Sequence, residues 1–150
     1  KVLNPLKKEE VKYDSKMKNY LKSKKLSYHS MKKPKKSEIL RLMHIASKNF
    51  FKKIKIQKIF SKSLIAIYLN KNQYFLVDLN KKNTSIISKK NFKSLNYVIL
   101  KTDLRLLYLI LKGPRYAHWD NADIGSHISY ERSPDRYERA INYALNFFHC

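Results

Sequence analysis

The chain has 150 residues, one cysteine, two glycines and a formal net charge of +22, a length that buries roughly 70% of the unfolded surface around one core. Its longest mid-chain apolar run, Leu106 to Leu111, is too short to cross a bilayer, the first residues lack the apolar stretch of a secretory signal, and the lone Cys150 excludes an internal disulfide. The expectation is a cytoplasmic protein with no membrane span that, opening on Lys1, forms the C-terminal part of a longer chain.

Residues 8 to 24 carry a sparse apolar stripe of Val11, Met17, Tyr20 and Leu21 in a basic background, which reads as a peripheral helix. A connector around Pro34 follows, giving a basic helical extension and linker over 1–35 and an α+β domain over 36–150. Ser37 before Glu38 reads as the cap of a second helix, whose broad apolar face runs from Ile39 and Leu40 through Met43, Ala46 and Phe50 to Ile54. From Ser61 the period shortens. Leu64 to Leu69, Gln73 to Leu79 and Thr84 to Ser88 read as strands joined by Asn70-Lys71-Asn72 and by Asn80 to Asn83, loops short enough for antiparallel hairpins. Tyr97 to Lys101 is a fourth strand, and Thr102 or Asp103 caps a helix over Leu104 to Leu111 that stops at Gly113-Pro114. A turn-rich loop leads to a last strand over His127 to Glu131. Ser133-Pro134-Asp135 then opens a final helix with Tyr137, Ala140, Ile141, Ala144, Leu145 and Phe148 on its apolar face. This order predicts an α+β fold: an antiparallel meander of about five strands with helices packed on one face, preceded by one or two helices.

Charge is unevenly distributed. Residues 1–112 hold 29 Lys and Arg against 6 acids, whereas residues 113–150 hold 4 Arg against 5 acids and no Lys. Both glycines, the only Trp and three of the five His lie in that tail. The lysines elsewhere fit a compositional bias, so the tail is where side-chain geometry matters most. Within ten positions it places His118, Asp120, Asp123 and His127, all possible metal ligands or proton-transfer groups, beside Arg115 and Trp119. No zinc signature accompanies them, and two further roles fit: the aspartates and histidines order a loop over Trp119, or they contact a ligand. On a helix starting near Pro134, Arg136 and Arg139 share one side, with Arg132 just before its N-terminus, a set suited to a phosphate or carboxylate. The competing reading pairs these arginines with Glu131, Asp135 and Glu138. His29, His44 and Cys150 receive no role. The chain has no Ser-His-Asp order and no glycine-rich phosphate loop, so it is not expected to be an autonomous enzyme.

The meander followed by VILKTDLRLLYLILKG (Val98 to Gly113) resembles the sterol-carrier-protein-2-like fold. KSEILRLMHIASKNFFKK (Lys36 to Lys53), together with AHWDNADIGSHISYERSPDRYERAINYALNFFH (Ala117 to His149), resembles the C-terminal region of metallo-β-lactamase-fold hydrolases of the ascorbate-lactonase and CMP-sialate hydroxylase-related group. That resemblance implies an accessory domain packed on an upstream catalytic domain. The parent protein's zinc or other divalent metal would sit in that partner, with no metal ligand and no cofactor in this chain. The expected ligand-facing residues are Arg115, His118, Trp119, Asp120, Asp123, His127, Arg132 and Arg136, toward a small anionic or apolar ligand. Two alternatives from other classes are a nucleic-acid-binding module using the Lys-rich helices with Tyr13, Tyr20 and Tyr28, and a stand-alone lipid or small-ligand carrier.

Overall fold

The computed structural model describes residues 5–24, 26–70, 72–92 and 95–150, divided into two units, 1–32 and 33–150. The first unit is helix α1, Pro5–Ser23, followed by one tight helical turn over Ser27–Ser30. A proline in the first turn costs no hydrogen bond, because that amide has no partner in the helix. Val11 and Tyr20 of the expected stripe are exposed, as is Tyr13, and Met17 is half-buried; the side chain of Leu21 lies outside the described residues. Ser15 donates to the carbonyl of Val11 at 2.8 Å, and the Lys24 ammonium sits 5.7 Å from the Tyr20 ring centre.

The second unit opens with α2, Lys36–Ile56. Lys35 rather than Ser37 occupies its N-cap and no side chain caps it, a correction to the expected start. Five strands follow the predicted pattern: β1 Leu64–Asn70, β2 Gln73–Asp78, β3 Asn83–Ile87, β4 Tyr97–Lys101 and β5 Ser129–Ser133. Between them lie α3, Leu104–Leu111, and α4, Trp119–Ile124; α5, Arg139–Leu145, comes last. The α+β class and the five strands are as read from the sequence. The sheet order is β3-β2-β1-β4-β5. β1 to β3 form the antiparallel meander, with Lys71 of the first hairpin outside the described residues. Asp78 closes the second hairpin by accepting from the amides of Asn80 and Lys81, both at 2.9 Å.

β4 lies parallel to β1, so the chain must return from the end of β3 to the start of β1 across one face of the sheet. It does so through a tight turn over Lys89–Phe92, and Phe92 packs into a cluster with Ala66, Tyr74 and Ile99. The alternate residues Ile65, Ile67, Phe75, Val77, Val98 and Leu100 form the other face. This face is covered by helices: His44 of α2 meets the Phe75 ring at 5.2 Å, and Phe148 beyond α5 meets Phe50 at 5.4 Å and Phe75 at 6.5 Å. Tyr108 of α3 donates to Glu38 of α2 at 3.0 Å. Asp103 is the α3 cap, accepting from the Arg105 amide at 2.8 Å.

On the crossover face Glu131 accepts from Lys101 at 3.0 Å and pairs with Lys89 at 3.5 Å. The Lys101 hydrogen bond, more than the remaining charge attraction, holds the Glu131 carboxyl below its ordinary value of 4.5. The associated stability is therefore complete above about pH 4.5 and lost as the pH falls through the lower folded-state value. With the Glu131 side chain 34% exposed, screening limits the contribution to less than about 1 kcal/mol. Urea titrations at pH 6 and pH 3 should show a smaller pH-dependent loss in Glu131→Gln than in the parent; an identical loss would remove the pair from the account.

Candidate functional site

Parallel pairing of β1 with β4 places both strand starts at one end of the sheet, where the antiparallel strands β2 and β5 finish. The flanking residues of four strands therefore converge there. Ser61 and Ser63 precede β1, Asn80 follows β2, Asn96 precedes β4 and Pro134 follows β5, and all of them line a cleft of about 610 Å³. The Leu64 amide donates to the Asn96 carbonyl at 2.9 Å, which joins the two strand entrances. Phe60, Lys62, Arg136 and Glu138 complete the walls.

The cleft floor is tightly hydrogen-bonded. Ser61 and Ser63 are buried. Ser61 donates its hydroxyl to Glu138 Oε2 at 2.6 Å, and Ser63 donates to Glu138 Oε1. Ser61 Oγ in turn accepts from the Ser63 amide at 3.0 Å, and its carbonyl accepts from Asn80 Nδ2 at 2.9 Å. Burying a hydroxyl costs free energy unless it finds a partner, so the carboxylate and the serines fix one another. Among the described residues the ion pairs are Lys89–Glu131, Lys101–Glu131 and Arg105–Asp103. Lys62 and Arg136 therefore line the cleft with no carboxylate partner among the described residues.

This arrangement revises the expected C-terminal geometry. Ser133 pairs with Tyr97 in the sheet, so the last strand runs two residues beyond Glu131 and Ser133 cannot start a helix. The Ser133–Pro134 bond is cis, and the Arg136 amide turns back to the Pro134 carbonyl at 2.7 Å. Glu138 is the N-cap of α5, but its carboxylate goes to the serines and not to the helix amides. Arg136 and Arg139 therefore do not share a helical side. Arg132 lies within β5, its guanidinium 4.6 Å from the Tyr130 ring centre. Of the carboxylates expected to neutralise the arginines, Glu131 engages lysines and Glu138 serines, and Asp135 is in none of the ion pairs among the described residues.

The other candidates gather around α4, a short helix where a loop was expected. Trp119 is buried beneath it and donates Nε1 to the Phe148 carbonyl at 3.0 Å. Asp120 accepts from Asn146 at 2.9 Å and Asp123 from Asn142 at 3.3 Å. The two aspartates of α4 thus meet Asn142 of α5 and Asn146 at its C-cap, beside a groove of about 290 Å³ that also holds Tyr137 and Arg139. Burial, reinforced by the Asp123 hydrogen bond, holds the Tyr130 phenol protonated far above its ordinary range. His127 packs close to Gly125, where a Cβ would lie 2.8 Å from its ring and 3.0 Å from the Asn121 carbonyl oxygen. His118 and Arg115 are exposed, at the α4 N-cap and in the preceding turn. Asp120 and Asp123 thus come together at one groove, while Arg136 belongs to the separate cleft.

Among the described residues no three His, Cys, Asp or Glu side chains gather to hold a metal ion, and the two α4 aspartates already accept from asparagine amides. Ser61, Ser63, Lys62, Asn80 and Glu138 were not singled out from the sequence. Ser-Lys-Ser just before the first strand is the local sign, since alternation puts both hydroxyls on one side. Their partner lies 75 positions away from Ser63. Among the described residues no helix is long and apolar enough to cross a membrane. Comparison with protein-family models, curated proteins and solved structures yields no match to this chain.

Proposed function

We propose that residues 33–150 act as a ligand-binding accessory domain, not catalytic alone, and that the cleft at the end of the sheet takes a small anion. The observation that carries this reading is the pair of cations, Lys62 and Arg136, lining a preformed cleft without a carboxylate partner among the described residues. Such a cleft has the volume of a small-molecule site, and a guanidinium supplies directional donors to carboxylate or phosphate. The resemblance of the C-terminal segment to metallo-β-lactamase-fold hydrolases supports a place beside a metal-bearing catalytic domain in the cytoplasm, with this domain contributing to the substrate pocket.

Titration of the full chain with inorganic phosphate and with acetate, followed by amide chemical shifts, should move resonances around residues 61–63, 80 and 134–138. Arg136→Ala should weaken binding about tenfold, as expected for loss of one charge-assisted hydrogen bond of about 1.5 kcal/mol. No shifts in that region, or stoichiometric zinc retained after dialysis, would reject the proposal. A second reading, nucleic-acid binding, is favoured by the exposed Tyr13 and Tyr20 on lysine-rich α1. Binding to single-stranded RNA that persists at physiological salt would promote it over the anion site.

A further inference from the structure

Resting on that anion-site reading, we infer that the cleft recognises an amine-bearing dianion, a small molecule with two negative charges and one ammonium group. Lys62 and Arg136 supply two positive charges to the walls and Glu138 supplies one negative charge. Each oxygen of Glu138 accepts one serine hydroxyl. A carboxylate offers about four acceptor positions, so about two remain for a donor from the ligand. Neither cation neutralises this carboxylate, since neither Lys62 nor Arg136 pairs with it. A purely anionic ligand drawn to the cations would meet an uncompensated like charge in the same cleft. An ammonium on the ligand removes that repulsion and donates to the open positions on Glu138. Both serines are buried, and Asn80 holds the Ser61 carbonyl. The exposed Phe60 ring at the rim offers an apolar surface to the short carbon chain joining the charged ends.

Two sources share this chemistry, an aminoalkyl phosphomonoester and an amino dicarboxylate, and matched probes separate them. Calorimetric titration of the full chain would compare phosphoethanolamine with ethyl phosphate, and L-aspartate with succinate; within each pair the essential difference is the amine. In at least one pair the amine-bearing member should bind about tenfold more tightly, and the pair that shows the preference identifies the source. Glu138→Gln keeps an acceptor and a donor for the serines, and should bring the ratio toward one. Equal or tighter binding of both amine-free probes to the unaltered protein would overturn the inference while leaving the anion site standing. If none of the four binds, the anion-site reading itself falls. The comparison on the unaltered chain requires no variant to fold.

Discussion

Phe148→Ala is expected to lower the unfolding free energy by about 3–5 kcal/mol, the range for truncating a buried aromatic in a core that relaxes only partly. Phe148 is 1% exposed. Its ring joins three parts of the second unit, meeting Phe50 of α2 at 5.4 Å, Phe75 of β2 at 6.5 Å and Trp119 of α4 at 6.4 Å. The truncation thus opens a void bordered by α2, the sheet and α4, whose side chains cannot all move inward at once. The Phe148 carbonyl still accepts from Trp119 in the variant, so the loss reports on packing and not on that hydrogen bond. Urea unfolding followed by the fluorescence of the only tryptophan gives the measurement. Phe60→Ala is the control, because Phe60 is 77% exposed and its truncation should cost within about 0.5 kcal/mol. A loss below about 1 kcal/mol at Phe148 would show that the C-terminal segment is not docked as described.

The elements that could be read from the sequence are those whose signal is local. β1, β2 and β4 alternate or run apolar between asparagine-rich turns, and α2 repeats its apolar positions over 21 residues. Asp103 announces α3 by a capping interaction two residues long. The failures have a common cause, which is that the deciding contact lies far away in the chain. Ser133-Pro134-Asp135 has the composition of a helix start, yet Tyr97 pairs with Ser133 and keeps it in the sheet. α4 is six residues long, too short for a periodic stripe, and exists because Trp119 and Ala122 bury beneath it while Asn142 and Asn146 hold its aspartates. The parallel partnership of β1 and β4 is written in no hairpin loop, and it is this partnership that assembles the cleft. Among the candidate residues the sequence named Arg136, and only the fold shows its place beside Ser61, Ser63 and Glu138. Of His118, Asp120, Asp123 and His127, named together in the sequence, the two aspartates share one groove, and no local pattern shows that Ser61 and Ser63 face Glu138.

Glu138→Ala should be the most costly single change at the cleft, at about 2–4 kcal/mol, although Glu138 itself is only half-buried. The cost arises at Ser61 and Ser63, whose buried hydroxyls would each lose a charged acceptor, Ser61 keeping only the Ser63 carbonyl at 3.3 Å. This origin makes a specific pattern. Glu138→Gln should recover most of the loss, since an amide can still engage both hydroxyls. Removing the hydroxyls as well, in the Ser61→Ala, Ser63→Ala, Glu138→Ala triple variant, should be less destabilising than Glu138→Ala alone, because no buried donor is then left unpaired. A different origin is the favourable interaction of a negative charge with the start of α5, for which Glu138 is the N-cap. In that case Glu138→Gln would lose nearly as much as Glu138→Ala, and the triple variant would be no better than the single one. Unfolding free energies of the three variants at one pH discriminate between the two, and only the first pattern leaves the Glu138 carboxylate positioned by the serines for a ligand.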